Sequence, residues 1–156
     1  MVKVTKNKKH FESILDNLRQ QDLEEVQALW KENWKDEVLK SINGQKTLVL
    51  FEKNIPIAMG GFVPIKDKNL RIAVVWLLCS CSVYSNKSLF YKVLKDEIKK
   101  AENKYDVMFN YIYKSNFEAK NWLKRLGFQF DNPRPLSLNI IEDFEFFYKV
   151  KEGVII

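Results

Sequence analysis

The stretch "VWLLCSCSVYSNKSLFYKVLKDEIKK", residues 75–100, decides the fold of this chain. It begins as an apolar run typical of a buried strand, breaks at polar residues, and continues with Leu89, Phe90 and Val93 at helical spacing. The next apolar run, "YDVMFNYIYKS" at residues 105–115, is again strand-like. Because a helical crossover joins parallel strands, these residues predict two neighbouring parallel strands with a helix between them.

The junction where the first strand gives way to the helix, "SVYSNKSL" at residues 82–89, is a candidate anion site. The first N–H groups of a helix are unpaired and its dipole favours an anion. A backbone that wraps round a pyrophosphate usually needs glycine, and none lies between Gly61 and Gly127.

An antiparallel pair of strands is predicted upstream of this unit. The segments "KTLVLFEK" at residues 46–53 and "IPIAMGGFVPI" at residues 55–65 flank a two-residue turn signal, Lys53 and Asn54. The two glycines of the second segment predict a bulge or a close backbone approach.

Helix signals come both before and after the predicted strands in the sequence. Asp22 and Glu25 form a capping-box-like pair, which predicts a helix that starts at Asp22. The stretch "SNFEAKNWLKRLGF", residues 115–128, carries Ser115 and Glu118 as a capping box and a glycine where a C-terminal cap belongs.

The remaining segments complete an α+β chain. Residues 2–5 predict a short first strand, "NPRP" at residues 132–135 a loop, and "FEFFYKV" at residues 144–150 a last strand. The 156 residues, 46% of them apolar, suffice for one core. We expect a single domain over residues 1–156, with a mixed, mostly antiparallel sheet, a helical crossover between two central parallel strands, and helices on both faces.

Charge and hydropathy limit the classes of partner. The net charge is +6 at pH 7, but most lysines alternate with acids, as on a solvated helix face. No nucleic-acid-binding motif accompanies them, so a nucleic-acid partner would rest on charge alone. The apolar runs are short and broken by charges, which predicts no membrane segment and, without a signal peptide, a cytoplasmic protein. The oligomeric state is left open.

The two cysteines and the single histidine do not predict a metal site. Cys79 and Cys81 lie one residue apart on a predicted strand, too far apart for a disulfide. No zinc-binding spacing joins them to His10. We interpret the cysteines as core thiols and His10 as a surface or helix-start residue.

The order of elements, with a strand followed by "SNFEAKNWLKRLGF", resembles the GNAT acyltransferase fold. The late segment of that fold typically carries an Asn, an Ala three residues on, and an aromatic-containing helix that ends in Gly-Phe; here these are Asn116, Ala119, Gly127 and Phe128. The resemblance implies that Asn116 contacts the pantetheine amides of a cofactor, whereas the local sequence favours helix capping beside Ser115.

A closer resemblance covers nearly the whole chain. The stretches "LRQQDLEEVQALW", "IPIAMGGFVP", "VWLLCS" and "YDVMFNYIYKSNFEAKNWLKRLGF" look like the internal virion protein A family of tailed phages, a GNAT-related group. This resemblance implies a phage or prophage protein that acts in virion assembly or genome delivery. Its partners would be other virion proteins, and the protein itself would be virion-associated.

Two departures from the acyltransferase pattern concern activity. Active members of the fold place a Gln/Arg-x-x-Gly-x-Gly/Ala motif where the central strand meets the crossover helix, and its N–H groups hold the pyrophosphate of acetyl-CoA; the turn at residues 82–89 has no glycine. A tyrosine seven residues after the Asn often serves as general acid in active relatives, and that position is Leu123, which cannot donate a proton. We therefore assign no catalytic residue.

Other polar residues have ordinary structural explanations. Tyr111 and Tyr113 could line a cleft, but such tyrosines are more often half-buried with a wet hydroxyl. Glu32, Asp36 and Glu37 could include a general base, but acids at helix ends usually serve the dipole or solubility.

Two hypotheses follow. The first is a non-enzymatic phage or prophage protein with a GNAT-like fold and no cofactor. The alternative is an N-acyltransferase that uses acetyl-CoA or another acyl-CoA, with a divergent phosphate-binding loop and with Asn116, Ser85, Asn86 and Lys87 as cofactor-binding residues.

Overall fold

The computed structural model describes residues 1–130 and 143–156, so the predicted loop at residues 132–135 lies outside the described residues. The elements follow in the order β1 (Val2–Thr5), α1 (Lys8–Leu15), α2 (Gln20–Trp30), a 3-10 turn (Lys31–Asn33), α3 (Trp34–Ile42), β2 (Thr47–Glu52), β3 (Ile55–Ile65), β4 (Ile72–Cys79), a second 3-10 helix (Cys81–Asn86), α4 (Lys87–Glu102), β5 (Val107–Tyr113), α5 (Phe117–Arg125) and β6 (Phe144–Val150). No helix within the described residues is long and apolar enough to cross a membrane.

The six strands form one sheet in the order of the sequence, β1 to β6. The pairs β1–β2, β2–β3 and β5–β6 are antiparallel. β4 and β5 are parallel, and their paired residues run from Ile72 opposite Val107 to Val74 opposite Phe109. The predicted α+β fold, a mostly antiparallel sheet with a helical crossover between two parallel strands, is confirmed.

The chain forms two compact units, and the first comprises Met1–Phe62 and Trp76–Val93. Its apolar core draws on α1, α2, α3 and β2, β3 and β4, because each of these elements turns one apolar face inward. The buried core residues are Phe11, Ile14, Leu15, Leu18, Val26, Val38, Ile42, Val49, Phe51, Met59 and Leu78.

The second unit comprises Val63–Val75 and Leu94–Ile156. Its buried apolar residues come from β4, α4, β5, β6 and the chain just after α5; they include Ala73, Ile98, Ala101, Val107, Met108, Ile112, Leu126, Phe128 and Phe147. The rings of Phe128 and Phe147 meet edge to face, with centroids 5.4 Å apart. This contact holds the chain leaving α5 against β6.

Two local predictions are confirmed. Lys53 and Asn54 both have positive φ, 49° and 65°, as a tight two-residue hairpin turn requires. At Gly60, a Cβ atom would lie 2.5 Å from the carbonyl oxygen of Trp76. The glycine is therefore needed for the close approach of two backbones.

Two predicted helix starts are wrong. α2 begins at Gln20, and its N-cap residue Arg19 makes no side-chain capping bond. Asp22 is not the N-cap residue. It lies in the first turn of α2, where its side chain is buried and forms an ion pair with Arg19. At α5 the N-cap is Asn116 and not Ser115. Neighbouring Ser and Asn both suit an N-cap, so the sequence alone did not distinguish them.

Candidate functional site

A buried ion pair holds the end of β4. The Arg19 guanidinium donates to the Asp22 carboxylate from Nε at 3.0 Å and from Nη2 at 2.8 Å. Asp22 Oδ2 also accepts the backbone N–H of Cys79 at 2.9 Å, and the N–H of Arg19 donates to the Cys79 carbonyl at 2.9 Å. Burial works to lower the pKa of Arg19, but the hydrogen bond and charge of Asp22 raise it. Arg19 therefore stays charged, and Arg19 and Asp22 together fix both backbone groups of Cys79.

The turn that follows β4 uses its N–H groups for protein contacts. The N–H of Ser80 donates to the Ile57 carbonyl at 2.8 Å, and that of Cys81 to the Asn17 carbonyl at 2.8 Å. The N–H of Ser82 donates to the side-chain oxygen of Ser80 at 3.1 Å. The chain then winds into the 3-10 helix at Cys81–Asn86, whose internal bonds use further N–H groups.

The three candidate residues of the turn lie where the 3-10 helix meets α4. Asn86 Oδ1 accepts the N–H of Leu89 at 3.2 Å, which is the N-cap bond of α4. The Lys87 ammonium lies over the Tyr84 ring, 5.1 Å from its centroid. The side chains of Ser85 and Lys87 are exposed. Asn86 is therefore engaged with its own helix, while Ser85 and Lys87 face solvent.

This turn differs from the glycine-rich cradle that the resemblance implies for acetyl-CoA. The Val83 side chain is buried in the first unit, at 1% exposed. Tyr84 remains on the surface. The residues present fit a phosphate through the Ser85 hydroxyl, the Lys87 ammonium and the dipole of α4. They do not fit the convergent N–H cradle.

In the second unit, Asn116 is 1% exposed and caps α5. Its Oδ1 accepts the N–H of Ala119 at 3.3 Å. The capping that the sequence favoured is thus present, and the contact of Asn116 with a cofactor stays a prediction.

The position of the expected general acid lies on α5. Leu123 and its neighbour Trp122 are both half-buried on that helix. The Leu123 carbonyl accepts the N–H of Phe128 at 3.0 Å, which closes the C-terminal end of the helix. An aliphatic side chain at this position cannot protonate a leaving thiolate.

β5 contains a polar residue that the sequence analysis did not single out. The side-chain amide of Asn110 donates to the Val75 carbonyl at 2.7 Å, one residue beyond the last paired position of β4. Asn110 Oδ1 accepts the N–H of Tyr111 at 2.7 Å. A side chain therefore replaces the backbone ladder where the pairing of β4 and β5 ends. An asparagine in an otherwise apolar strand was the available signal.

The tyrosines of β5 belong to an aromatic face shared with β6. The Tyr111 ring meets that of Phe146 at 5.3 Å, and Tyr113 meets Phe144 at 5.4 Å. Both tyrosines are half-buried, as expected, and burial raises the pKa of Tyr111. The Tyr111 hydroxyl is therefore protonated at neutral pH.

The three acidic residues that were considered as a general base lie near the start of α3. Glu32 is in the first 3-10 turn. Asp36 and Glu37 are in the first turn of α3, where their negative charge interacts favourably with the helix dipole.

Of the two cysteines, Cys79 is buried and Cys81 is exposed. The expectation of a core thiol is therefore confirmed for Cys79 and wrong for Cys81.

No protein-family model matches the sequence, and no curated protein matches it. Solved structures do match the fold. An acetyltransferase from Streptococcus agalactiae aligns with a TM-score of 0.69 and 15% identity, over 96% of this chain and 97% of its own.

Two matching structures contain a cofactor. The Campylobacter jejuni N-acetyltransferase PseH, in complex with acetyl coenzyme A, aligns with a TM-score of 0.59 and 19% identity over 97% of this chain and 99% of its own. YncA from Salmonella typhimurium, solved with its cofactor acetyl-CoA, aligns with a TM-score of 0.62 and 14% identity over 99% of this chain and 95% of its own. The chain therefore has the GNAT acetyltransferase fold.

Proposed function

We propose that this chain binds an acyl-CoA and acts as an N-acyltransferase with a divergent phosphate-binding turn. The observation that carries the proposal is the extent of the structural match, which spans nearly the full length of acetyltransferases, two of them with acetyl-CoA bound. This match supports the hypothesis of an N-acyltransferase over that of a non-enzymatic phage or prophage protein.

The side chains at the β4–α4 junction would hold the cofactor's phosphates. Lys87 supplies an exposed cation and Ser85 an exposed hydroxyl at the N-terminus of a helix of 16 residues. Asn86 caps the start of α4, because its Oδ1 accepts the N–H of Leu89. When bound, the cofactor supplies a thioester whose acyl group an amine can attack. Leu123 offers no proton to the departing thiolate, so we assign protonation to no residue on α5.

Calorimetry with acetyl-CoA tests the proposal. We expect a dissociation constant in the low micromolar range for the wild-type chain. Replacement of Lys87 by Gln should weaken that binding about three- to tenfold, because one charge-assisted phosphate contact is lost. Lys92→Gln removes the same charge from an exposed position on the same helix and should leave binding unchanged.

S-acetylpantetheine, which has no pyrophosphate, separates the contribution of the turn from that of the rest of the site. Its affinity should be the same for the wild-type chain and for Lys87→Gln. If acetyl-CoA does not bind to the folded wild-type chain, or if no amine stimulates release of the free thiol, the proposed function is wrong.

The second candidate function is that of a non-enzymatic protein with this fold. Two observations favour it. The N–H groups of residues 80–83 are bonded within the protein, and Leu123 stands at the position of the expected acid. The resemblance to the phage internal virion protein A family would place it in virion assembly or genome delivery, with virion proteins as partners. The structural matches reported above are bacterial enzymes, so that setting rests on the sequence resemblance alone. Absence of acetyl-CoA binding would favour this candidate.

A further inference from the structure

A cavity of about 290 Å³ lies in the first unit. It is formed by β1, the start of α1 and the β2–β3 hairpin, and none of its lining residues is among the proposed cofactor-binding residues. The lining residues are Lys3, Val4, Thr5, His10, Phe51 and Asn54.

One part of the cavity wall is aromatic. Phe51 is 9% exposed, and the His10 ring meets it edge to face, with centroids 5.0 Å apart and planes at 83°. The ammonium of Lys3 lies 5.8 Å from the centroid of the Phe51 ring. A planar ring can therefore pack beside Phe51 with its substituent near a cation.

The remaining lining groups suit a single negative charge. No acidic side chain is among the lining residues, and Lys3 makes no ion pair within the described residues. The Thr5 hydroxyl lies 3.5 Å from His10 Nδ1, at the outer limit of a hydrogen bond. The hydroxyl, the imidazole and the Asn54 amide can each donate a hydrogen bond to an oxyanion.

The unpaired lysine follows from the local sequence. Residues 1–11 contain four lysines and no acid. The first acidic residue, Glu12, lies 3.7 Å from Lys8 in an i,i+4 pair and is not available to Lys3. Within the described residues no ion pair involves Lys3, so no salt bridge neutralises its positive charge at the cavity.

We propose that this cavity binds a small aromatic carboxylate, with the ring beside Phe51 and the carboxylate facing Lys3, Thr5 and His10. The site is independent of acyl transfer and uses none of the residues of the β4–α4 junction.

The single histidine of the chain makes the test direct. The ring signals of His10 are followed by NMR in the full-length chain while benzoate is added. We expect a saturable shift with benzoate. Benzamide has the same ring without the charge, and cyclohexanecarboxylate has the charge without the aromatic ring. Each should bind at least about tenfold more weakly, since each loses one of the two recognised features.

A matched pair of variants identifies the cation. Lys3→Gln should weaken benzoate binding at least about tenfold, while Lys6→Gln, which removes the same charge from an exposed residue that does not line the cavity, should leave it unchanged. Lys3 is exposed, so its variant should fold. The proposal fails if benzoate produces no saturable shift, if benzamide or inorganic phosphate binds as well as benzoate, or if the two variants weaken binding equally.

Discussion

The chain passes from strand to helix at the ends of β4 and β5, and the bonds that shape the two junctions differ in range. After β4, the backbone groups of Cys79, Ser80 and Cys81 bond to residues far away in sequence, and Asp22 reaches Cys79 across 57 positions. After β5, the defining bond joins Asn116 to Ala119, three positions on.

This difference separates two ways of ending a strand. The β5–α5 junction is specified by its own residues, a polar N-cap and a glycine with φ of 91° at the C-terminal end. The β4–α4 junction is specified by tertiary contact, chiefly a buried ion pair that belongs to α2. Distant substitutions can therefore alter the β4–α4 junction strongly. The β5–α5 junction depends mainly on nearby residues, and one backbone bond, from the Lys114 N–H to the Asp143 carbonyl at 2.9 Å, joins it to a distant position.

The largest effect should follow from Arg19→Met. Asp22 would remain buried without its cation, and breaking a buried pair in this way costs about 3–5 kcal/mol in the free energy of unfolding. Urea unfolding monitored by circular dichroism measures the loss. The double variant Arg19→Met, Asp22→Leu should recover most of it, since apolar residues of similar volume often replace a buried pair without loss.

An exposed ion pair provides the control. Lys100 pairs with Glu97, and the Lys100 side chain is 71% exposed. Lys100→Met should leave the free energy of unfolding nearly unchanged, because an exposed ion pair is solvated and screened by salt. If Arg19→Met behaved in the same way, the ion pair would not hold the end of β4.

The next effect in size is expected at the start of α5. Asn116→Ala removes the N-cap bond to Ala119 and should cost about 1–2 kcal/mol. Ser115→Ala, at the adjacent exposed residue, should cost less than about 0.5 kcal/mol. Thermal unfolding of the two variants compares their losses of stability. An equal loss would support the capping box predicted at Ser115.

A smaller loss is expected for Asn86→Ala at the start of α4. The variant removes the bond to Leu89, which should cost about 0.5–1 kcal/mol, because Asn86 is only half-buried and water can replace part of the contact. Urea unfolding measures it. A loss larger than that of Arg19→Met would mean that the β4–α4 junction depends on its own cap more than on Arg19 and Asp22.

The smallest effect concerns pH and the exposed pair Arg71–Asp106 in the second unit. The hydrogen bond from Arg71 lowers the pKa of Asp106 to about 2, below the value near 3.9 of an unfolded chain. Because the folded pKa is the lower one, the pair stabilises the chain above pH 4, and the stabilisation is lost as the pH falls from about 4 to about 2.

Asp106→Asn removes this contribution. The drop in the free energy of unfolding between pH 5 and pH 2 should therefore be smaller in the variant than in the wild-type chain, and the difference should shrink in high salt, because the Arg71 side chain is 54% exposed. Equal drops in both chains would contradict the assignment.

Local signals predicted much of the fold. The hairpin turn at Lys53 and Asn54 and the close approach at Gly60 follow from local turn and glycine signals. The parallel pair β4–β5 follows from the rule that a helical crossover joins parallel strands. These features depend on a few adjacent residues or on a general rule of topology, so one sequence suffices to predict them.

The contacts that shape the candidate site could not be predicted in this way. Arg19 and Asp22 stand three residues apart, which indicates an ion pair, but nothing in the sequence shows that the pair is buried against Cys79. The bonding of the turn after β4 likewise depends on Asn17 and Ile57, which come from other elements. The sequence located Ser85, Asn86 and Lys87 at a strand-to-helix junction, while their role toward a cofactor stays a proposal.

The bond between Asp22 and Cys79 also has a consequence for the order of folding. Closing a loop of 57 positions costs chain entropy before any contact is gained, whereas the bond from Asn116 to Ala119 forms within a single helical turn. We therefore expect the start of α5 to form before the turn after β4. The turn after β4 must wait until α2 has docked, so its final conformation belongs to a late step of folding.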